Sequence, residues 1–500
     1  MTRFHMDLFR LVALLYIVAI AAGQQNTSDI CLQAASRLPG RISYPTDSVY
    51  ISSRQSYYSG FERALAPGCI FRPINTAEVS RFIKLVTAGG QYGNTSQAPK
   101  FAVRGGGHTL FSGAANIDEG VTIDLREIKS VVLSKDRKMA AVGGGAVWSD
   151  IYPQMVPYNL TVMGGRVPGV GVGGFVTGGG VNFLNQRYGW SCDNIYGYEV
   201  VLASGEVVYA TANSYKDLWL ALKGGSNNFG IVTRFDVATF PQGLMWGGVI
   251  SFNYTKSVLE AQAKAFRDYM DPKNFDSAAD MGIILNYANK TFSLSNSLFY
   301  IDPVPYPKTY KAFTSIPSLS PNTLTLTNVS NMVVQFGKNL PSKVPRSIQL
   351  VYSFKNTDVP TYTKLIQQWE TDIKTLETVP GGLSQFLIQP QPVTNGTNSM
   401  GLEANQHDIV MCIVTAAWTN PADDARVQQL VTSIVDKHER VVRRQRLYIP
   451  FKYLNYADIS QDVIGSYGTN NKRRLRAVSR KYDPKALFQT SVPGGFKVSK

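Results

Sequence analysis

Apolar residues along this chain keep two rhythms, and the point where one gives way to the other divides the sequence. From about Ala66 to Thr239, short β-rich runs at 100–103, 121–125 and 199–203 alternate with clusters of glycine. Two stretches interrupt them with apolar positions at helical spacing, 76–88 and 148–155. Asn75 stands where a helix needs a side-chain acceptor for its first unpaired N–H groups, and Glu78 puts negative charge in the first turn. Phe240, Pro241, Gln242 and Gly243 mark the change. Beyond them 257–269, 359–376 and 422–438 read as helices, while 292–299 and 407–418 read as strands. From Tyr448 the chain becomes rich in tyrosine and glycine again. The economical reading is the α+β class: a first domain over 24–240 completed by 448–500, with a sheet backed by helices on one side inserted at 241–447.

The first residues follow neither rhythm. Arg3 and Arg10 precede twelve apolar residues, 11–22, and small residues close the run at Ala21, Ala22 and Gly23. A membrane span needs about 20 such residues, so the pattern predicts a cleaved signal peptide over 1–23. The mature chain is expected outside the cell or in the secretory lumen, with no membrane span. Seven Asn-x-Ser/Thr sequons suit that route, at Asn26, Asn94, Asn159, Asn253, Asn289, Asn328 and Asn395, and each should lie at the surface.

In an oxidising compartment the four cysteines permit three pairings. Cys31 and Cys69 share the polar N-terminal region and are expected to pair. Cys192 and Cys412 stand in apolar surroundings and read as buried thiols. No pair has CxxC spacing and the four histidines are scattered, so no metal site is expected. A net charge of +15 raises nucleic acid as a partner. The basic residues are dispersed, however, apart from a helical cluster at Lys472, Arg473, Arg474, Arg476, Arg480 and Lys481. No nucleic-acid motif accompanies that cluster, and a solvated helix face is the better reading.

The strongest local signal is Val103-Arg104-Gly105-Gly106-Gly107-His108-Thr109, directly after a strand. Successive glycines let backbone N–H groups come close to a phosphate and permit positive φ, and a histidine ending the loop stands beside whatever binds. Further clusters follow at 143–145, 164–174 and 178–180, which points to an elongated ligand gripped by backbone. Neither the dinucleotide fingerprint with its distal acid nor the phosphate loop with its Gly-Lys-Ser/Thr is present.

Taken together, these motifs resemble the berberine-bridge-enzyme-like branch of the vanillyl-alcohol-oxidase flavoproteins, in a fungal form. The resemblance rests on Arg104 to His108, Gly113 to Asp118, Leu202 to Glu206, Gly224 to Thr233, Tyr453 to Asp458 and Lys481 to Phe488, in the right order. It implies a PCMH-type FAD-binding domain of two α/β subdomains, completed by the C-terminal tail, and an inserted antiparallel-sheet substrate domain backed by helices. It also implies that His108 bonds covalently to FAD. Arg104, Gly105, Gly106, Gly107, Thr109, Gly113, Gly169, Gly173 and Gly174 would line the cofactor, with Gly230, Ile231 and Val232 at its adenine end. Asn455 and Tyr456 would meet the flavin from the tail.

Two departures matter. Many members carry a second attaching cysteine where this chain has Val167, so a single histidyl bond is expected. Many plant alcohol oxidisers carry a tyrosine where this chain has Val181. The implied reaction moves a hydride from an organic small-molecule substrate to FAD, with O2 as acceptor giving H2O2. Tyr456 is the candidate base. Gln385, Gln389 and Glu403 are further candidates for facing the substrate; the two glutamines share a face if 384–389 is a strand. The substrate class favoured is a fungal secondary metabolite, oxidised or oxidatively cyclised. An oligosaccharide oxidase and a glycoprotein that binds without turnover are the alternatives, and a monomer is expected.

Overall fold

The computed structural model describes residue 27, residues 29–88 and residues 99–499. The signal-peptide expectation and the sequons Asn26 and Asn94 lie outside the described residues.

Three sheets organise the described residues. The first is four-stranded and mixed: Cys69–Phe71 and Phe101–Arg104 flank Val121–Asp124 in parallel, and Ile42–Ser43 adds an antiparallel edge. Helix Thr76–Ala88 contributes Val79, Phe82, Ile83 and Val86 to the core on this sheet. Its start follows the sequence signal, since the Asn75 side chain accepts the Glu78 N–H at 2.9 Å. The disulfide Cys31–Cys69 forms as expected, and its sulfurs lie in the same core. Cys192 and Cys412 are free and buried.

The second sheet is antiparallel and six-stranded, built around the long strand Ile231–Pro241. The chain leaves it at Pro241 and enters the third sheet at Met245, where the sequence changes character.

The third sheet has nine antiparallel strands. Its six long ones run in the order Met245–Phe252, Thr291–Tyr300, Ala279–Ala288, Leu383–Pro390, Ile409–Trp418, Arg346–Lys355. Strand alternation gives it two unlike faces. Met281, Ile283, Leu285, Leu350, Tyr352, Phe354, Phe386 and Ile388 pack under helices Lys256–Tyr269, Val359–Ile373 and Asp424–Arg444. The opposite face carries Asp280, Gln385 and Gln389, and its apolar members Val351, Met411 and Ile413 join the core of the second sheet. The helix expected at 359–376 gives way to a 3-10 turn after Ile373, and the one expected at 422–438 runs on to Arg444. In the second case Val442, beyond the expected end, is still fully buried, so tertiary packing extends the helix.

The C-terminal segment returns to the N-terminal half. Leu487, Phe488 and Val492 complete the core on the first sheet, and Tyr453, Leu454, Leu475 and Val498 that of the second.

Of the described sequons, Asn159, Asn253, Asn289 and Asn395 are exposed as expected. Asn328 departs from the expectation: it is half-buried and caps helix Val329–Gly337, accepting the Asn331 N–H at 3.0 Å.

Candidate functional site

The strand Phe101–Arg104 delivers the glycine loop to the seam between the first two sheets. A Cβ on Gly106 would lie 2.4 Å from the Gly171 nitrogen, and one on Gly173 would lie 3.1 Å from the Gly144 oxygen. The loops 105–109 and 169–174 are thus in backbone-to-backbone approach, and side chains are excluded from it. Around that approach Gly113, Gly169 and Gly174 face open space, and Gly107 and Gly113 have φ of +70° and +87°. Gly230, Ile231 and Val232 open the strand beside Gly144, where a Cβ on Gly144 would come within 2.5 Å of the Val232 oxygen. The open backbone at Gly113, Gly169 and Gly174 fits the close approach that a phosphate-bearing cofactor needs.

Two of the four glycine clusters do something else. At 143–145 the missing side chains make room for the Ile128 and Leu125 backbone; at 178–180 they make room for Asn455, Tyr453, Trp190 and Ser191. At these two clusters the absence of side chains serves the packing of the protein itself, as it also does at Gly106 against Gly171.

Segment 53–62 holds the loop from behind. The Arg104 guanidinium is buried and donates to the Ser53 carbonyl at 2.7 Å and the Ser56 hydroxyl at 2.8 Å, and it lies 3.6 Å from the centre of the Tyr57 ring. Its side chain is therefore engaged by protein. Glu62, fully buried, accepts the Ala114 and Ala115 N–H groups at 2.9 and 3.0 Å, which fixes the turn at Gly113. Burial pushes its carboxyl up to about 7.

His108 ends the loop, half-buried beside Thr109, with its ring stacked on Tyr58 at 3.9 Å. Burial pushes its imidazole down to about 4, so at neutral pH it is uncharged and keeps a nitrogen lone pair for bonding. Cys192 is the reverse case: burial holds its thiol well above the ordinary range, so it is a poor nucleophile.

At the far end of the 164–174 loop, residues from three parts of the chain converge on Arg166. Its guanidinium donates to Tyr456 Oη at 3.0 Å, Gln389 Oε1 at 3.1 Å and Asp280 Oδ2 at 3.3 Å. Burial works against its charge, but Tyr456 and Asp280 outweigh burial and keep it cationic. Burial pushes the Asp280 carboxyl up to about 6, with Arg166 opposing. Gln389 Nε2 is buried with no partner. The Tyr456 ring sits 4.7 Å from that of Tyr453, whose hydroxyl accepts the Gly180 N–H at 3.0 Å and the Asn455 amide at 2.8 Å. Asn455 also donates to the Phe175 carbonyl at 3.0 Å. The tail is thereby locked to the end of the glycine-rich segment.

Of the residues weighed for the substrate face, Gln385 and Gln389 share one, but only Gln389 reaches this cluster. Gln385 is tied to Asn286 across the strands at 3.0 Å, and Glu403 is exposed on a loop. Arg166 and Asp280 were missed. An arginine inside a glycine-rich run and an aspartate inside an apolar alternating strand were the available signals.

Among the described residues, no group of three or more His, Cys, Asp or Glu is placed to hold a metal ion, and no helix is long and apolar enough to cross a membrane.

Comparison with known proteins follows the same two ends of the chain. Residues 67–211 match the family described as FAD binding domain, and residues 452–492 match Berberine and berberine like. The chain is 33% identical over 466 residues to the FAD-dependent monooxygenase drtC of Aspergillus calidoustus, covering 91% of this chain and 87% of that protein. It is 31% identical over 474 residues to the bifunctional solanapyrone synthase of Alternaria solani, covering 91% and 86%. Its fold is that of the glucooligosaccharide oxidase from Acremonium strictum, with a TM-score of 0.73 at 18% identity over 95% of this chain and 99% of the other. That protein is described as carrying 6-S-cysteinyl, 8α-N1-histidyl FAD. The two matched stretches take in the glycine loops 105–109 and 169–174 and the tail with Tyr453 and Tyr456, and the chain belongs to the berberine-bridge-enzyme-like FAD-linked oxidoreductases.

Proposed function

We propose that this oxidoreductase holds FAD through one covalent bond, to His108, and oxidises an organic small molecule of fungal secondary metabolism, as an oxidation or an oxidative cyclisation. The observation that carries the reading is His108 itself: an uncharged imidazole at the end of a loop without side chains, beside open backbone. Val167 supports a single bond, since it stands where the resemblance places the second, cysteinyl attachment. Loops 105–109 and 169–174 would hold the phosphates by backbone N–H groups, and Gly230 to Val232 the adenine end.

FAD held there would supply the acceptor for a hydride from a substrate carbon, with O2 as the final acceptor giving H2O2. The chain's own share is orientation and proton handling. Tyr456 is the candidate base for the proton leaving the substrate, and the guanidinium of Arg166, donating to its oxygen at 3.0 Å, holds that oxygen in place. Asp280 and Gln389 keep the guanidinium in place. Val181, buried beside Tyr453, leaves the tail tyrosine as the proton acceptor without a second hydroxyl at that position.

A secondary metabolite is favoured because a relative at 31% identity is named bifunctional solanapyrone synthase. The oligosaccharide oxidases share the fold at 18–20% identity, which does not carry a substrate. We place the chain in the secretory pathway as a monomer, with residues 1–23 removed and sugars on the exposed sequons. The test is direct. Protein secreted by a fungal host should stay yellow through acid precipitation, and it should release peroxide with hydroxylated polyketides but not with oligosaccharides. A colourless precipitate, or peroxide with oligosaccharides alone, would overturn the proposal.

A further inference from the structure

Tyr58 lies outside every motif that carries the family resemblance, yet its ring stacks directly on that of His108. The two rings are 3.9 Å apart and inclined by 13°, a face-to-face stack. A stack covers the π face of an imidazole and leaves the ring edge free. The nitrogen lone pairs lie in that edge, so the reactive direction stays open while one face is shielded from water. Tyr58 is held firmly for this role. Its N–H donates to the Gly107 carbonyl at 3.0 Å, which ties it to the histidine loop. Its carbonyl accepts the Val344 N–H at 3.0 Å and Arg63 Nη1 at 2.7 Å. The same guanidinium donates to the Tyr57 carbonyl at 2.8 Å and the Val344 carbonyl at 2.9 Å. Next along, the Ser59 hydroxyl donates to the Leu110 carbonyl at 2.9 Å. Gly60 has no room for a side chain, since its Cβ would fall 1.8 Å from the Pro345 oxygen. Residues 57–60 are thus a strap pinned to the histidine loop on one side and to residues 344–345 on the other.

From this geometry we infer that Tyr58 is a positioning residue for flavin attachment, holding the His108 ring in the plane from which its nitrogen bonds the cofactor's ring methyl carbon. The inference rests on the reading that His108 carries the flavin. Attachment breaks one C–H bond of the methyl group and the imidazole N–H bond and forms one C–N bond. The two protons and two electrons released leave with O2 as H2O2. A freely turning imidazole meets the carbon in the right plane only part of the time. The aromatic face of Tyr58 removes that freedom, and its hydroxyl has no part in it.

The experiment measures covalently attached and total flavin on the secreted wild type, Tyr58→Phe, Tyr58→Leu and His108→Ala, harvested at intervals. Acid precipitation separates bound from released flavin. We expect Tyr58→Phe to attach flavin at the wild-type rate. Tyr58→Leu should attach it about three- to tenfold more slowly, the range an aromatic pair commands, with total flavin unchanged. Wild-type attachment in Tyr58→Leu overturns the inference. So does slow attachment in Tyr58→Phe, which would assign the effect to the hydroxyl and holds even if the leucine variant fails to fold. Wild type whose flavin is all released by acid, like His108→Ala, sinks the His108 reading itself and is told apart by that control.

Discussion

Replacing Arg166 by methionine removes the cation from a buried cluster and leaves its partners in place. Asp280 is the costly one, since its side chain is 2% exposed and the 3.3 Å contact to Arg166 is its salt bridge. Breaking a buried pair from one side costs about 3–5 kcal/mol. The contact is longer than the 2.7–2.9 Å of a strong charge-assisted bond, so about 3 kcal/mol is expected at pH 8. The cost should depend on pH. Burial already raises the Asp280 carboxyl to about 6 against an unfolded value near 3.9, and losing Arg166 raises it further. A raised acid favours the fold at low pH and loses that contribution as pH rises through its folded value. The gap between wild type and Arg166→Met should therefore shrink from pH 8 to pH 5. Urea unfolding followed by tryptophan fluorescence reads both numbers from the midpoint and slope. Arg166→Met/Asp280→Asn should recover most of the pH 8 loss. Equal stability of wild type and Arg166→Met at pH 8, or a gap unchanged at pH 5, would refute the reasoning.

Three further predictions concern other parts of the fold. Cys31→Ser/Cys69→Ser opens a loop of 38 residues and should cost about 4 kcal/mol in the chain-entropy model, measured by the same urea titration without reductant. His438 is fully buried, bonded to the Tyr352 hydroxyl at 2.8 Å and pushed down to about 3 by burial. The unfolded chain takes a proton near pH 6.5 that the fold refuses, so from pH 6.5 to 5 His438 should subtract about 2 kcal/mol from stability, read as the difference between the pH dependence of wild type and that of His438→Phe. Cys192→Ala should leave acid-stable flavin at the wild-type level, since burial makes that thiol unreactive; loss of attached flavin would place the bond on Cys192.

What the sequence could say follows from how far apart the partners lie. Loop 104–109 was legible because its glycines and its histidine are contiguous, and helix Thr76–Ala88 because its cap and its first-turn acid lie within four residues. The Arg166 cluster was not, because Asp280, Gln389 and Tyr456 are 114, 223 and 290 residues away and meet only through packing of the third sheet and the tail. The glycine clusters show a different limit. Gly113 and Gly178 are the same residue in sequence, but one faces open space and the other the Asn455 side chain. Whether a missing side chain makes room for a ligand or for the protein is decided by tertiary structure. Tyr58 is a third case, an aromatic in an ordinary segment whose importance comes from the ring it covers.

The central claim is the single bond to His108, and peptide mapping tests it most directly. Tryptic digestion of the acid-precipitated protein cuts after Arg104 and Arg126, so His108 falls within one peptide of residues 105–126. The account predicts that flavin absorbance and the flavin mass increment travel with that peptide alone, and with none in His108→Ala. Flavin on a peptide containing Cys192 or Cys412, or flavin released entirely by the acid, would contradict it.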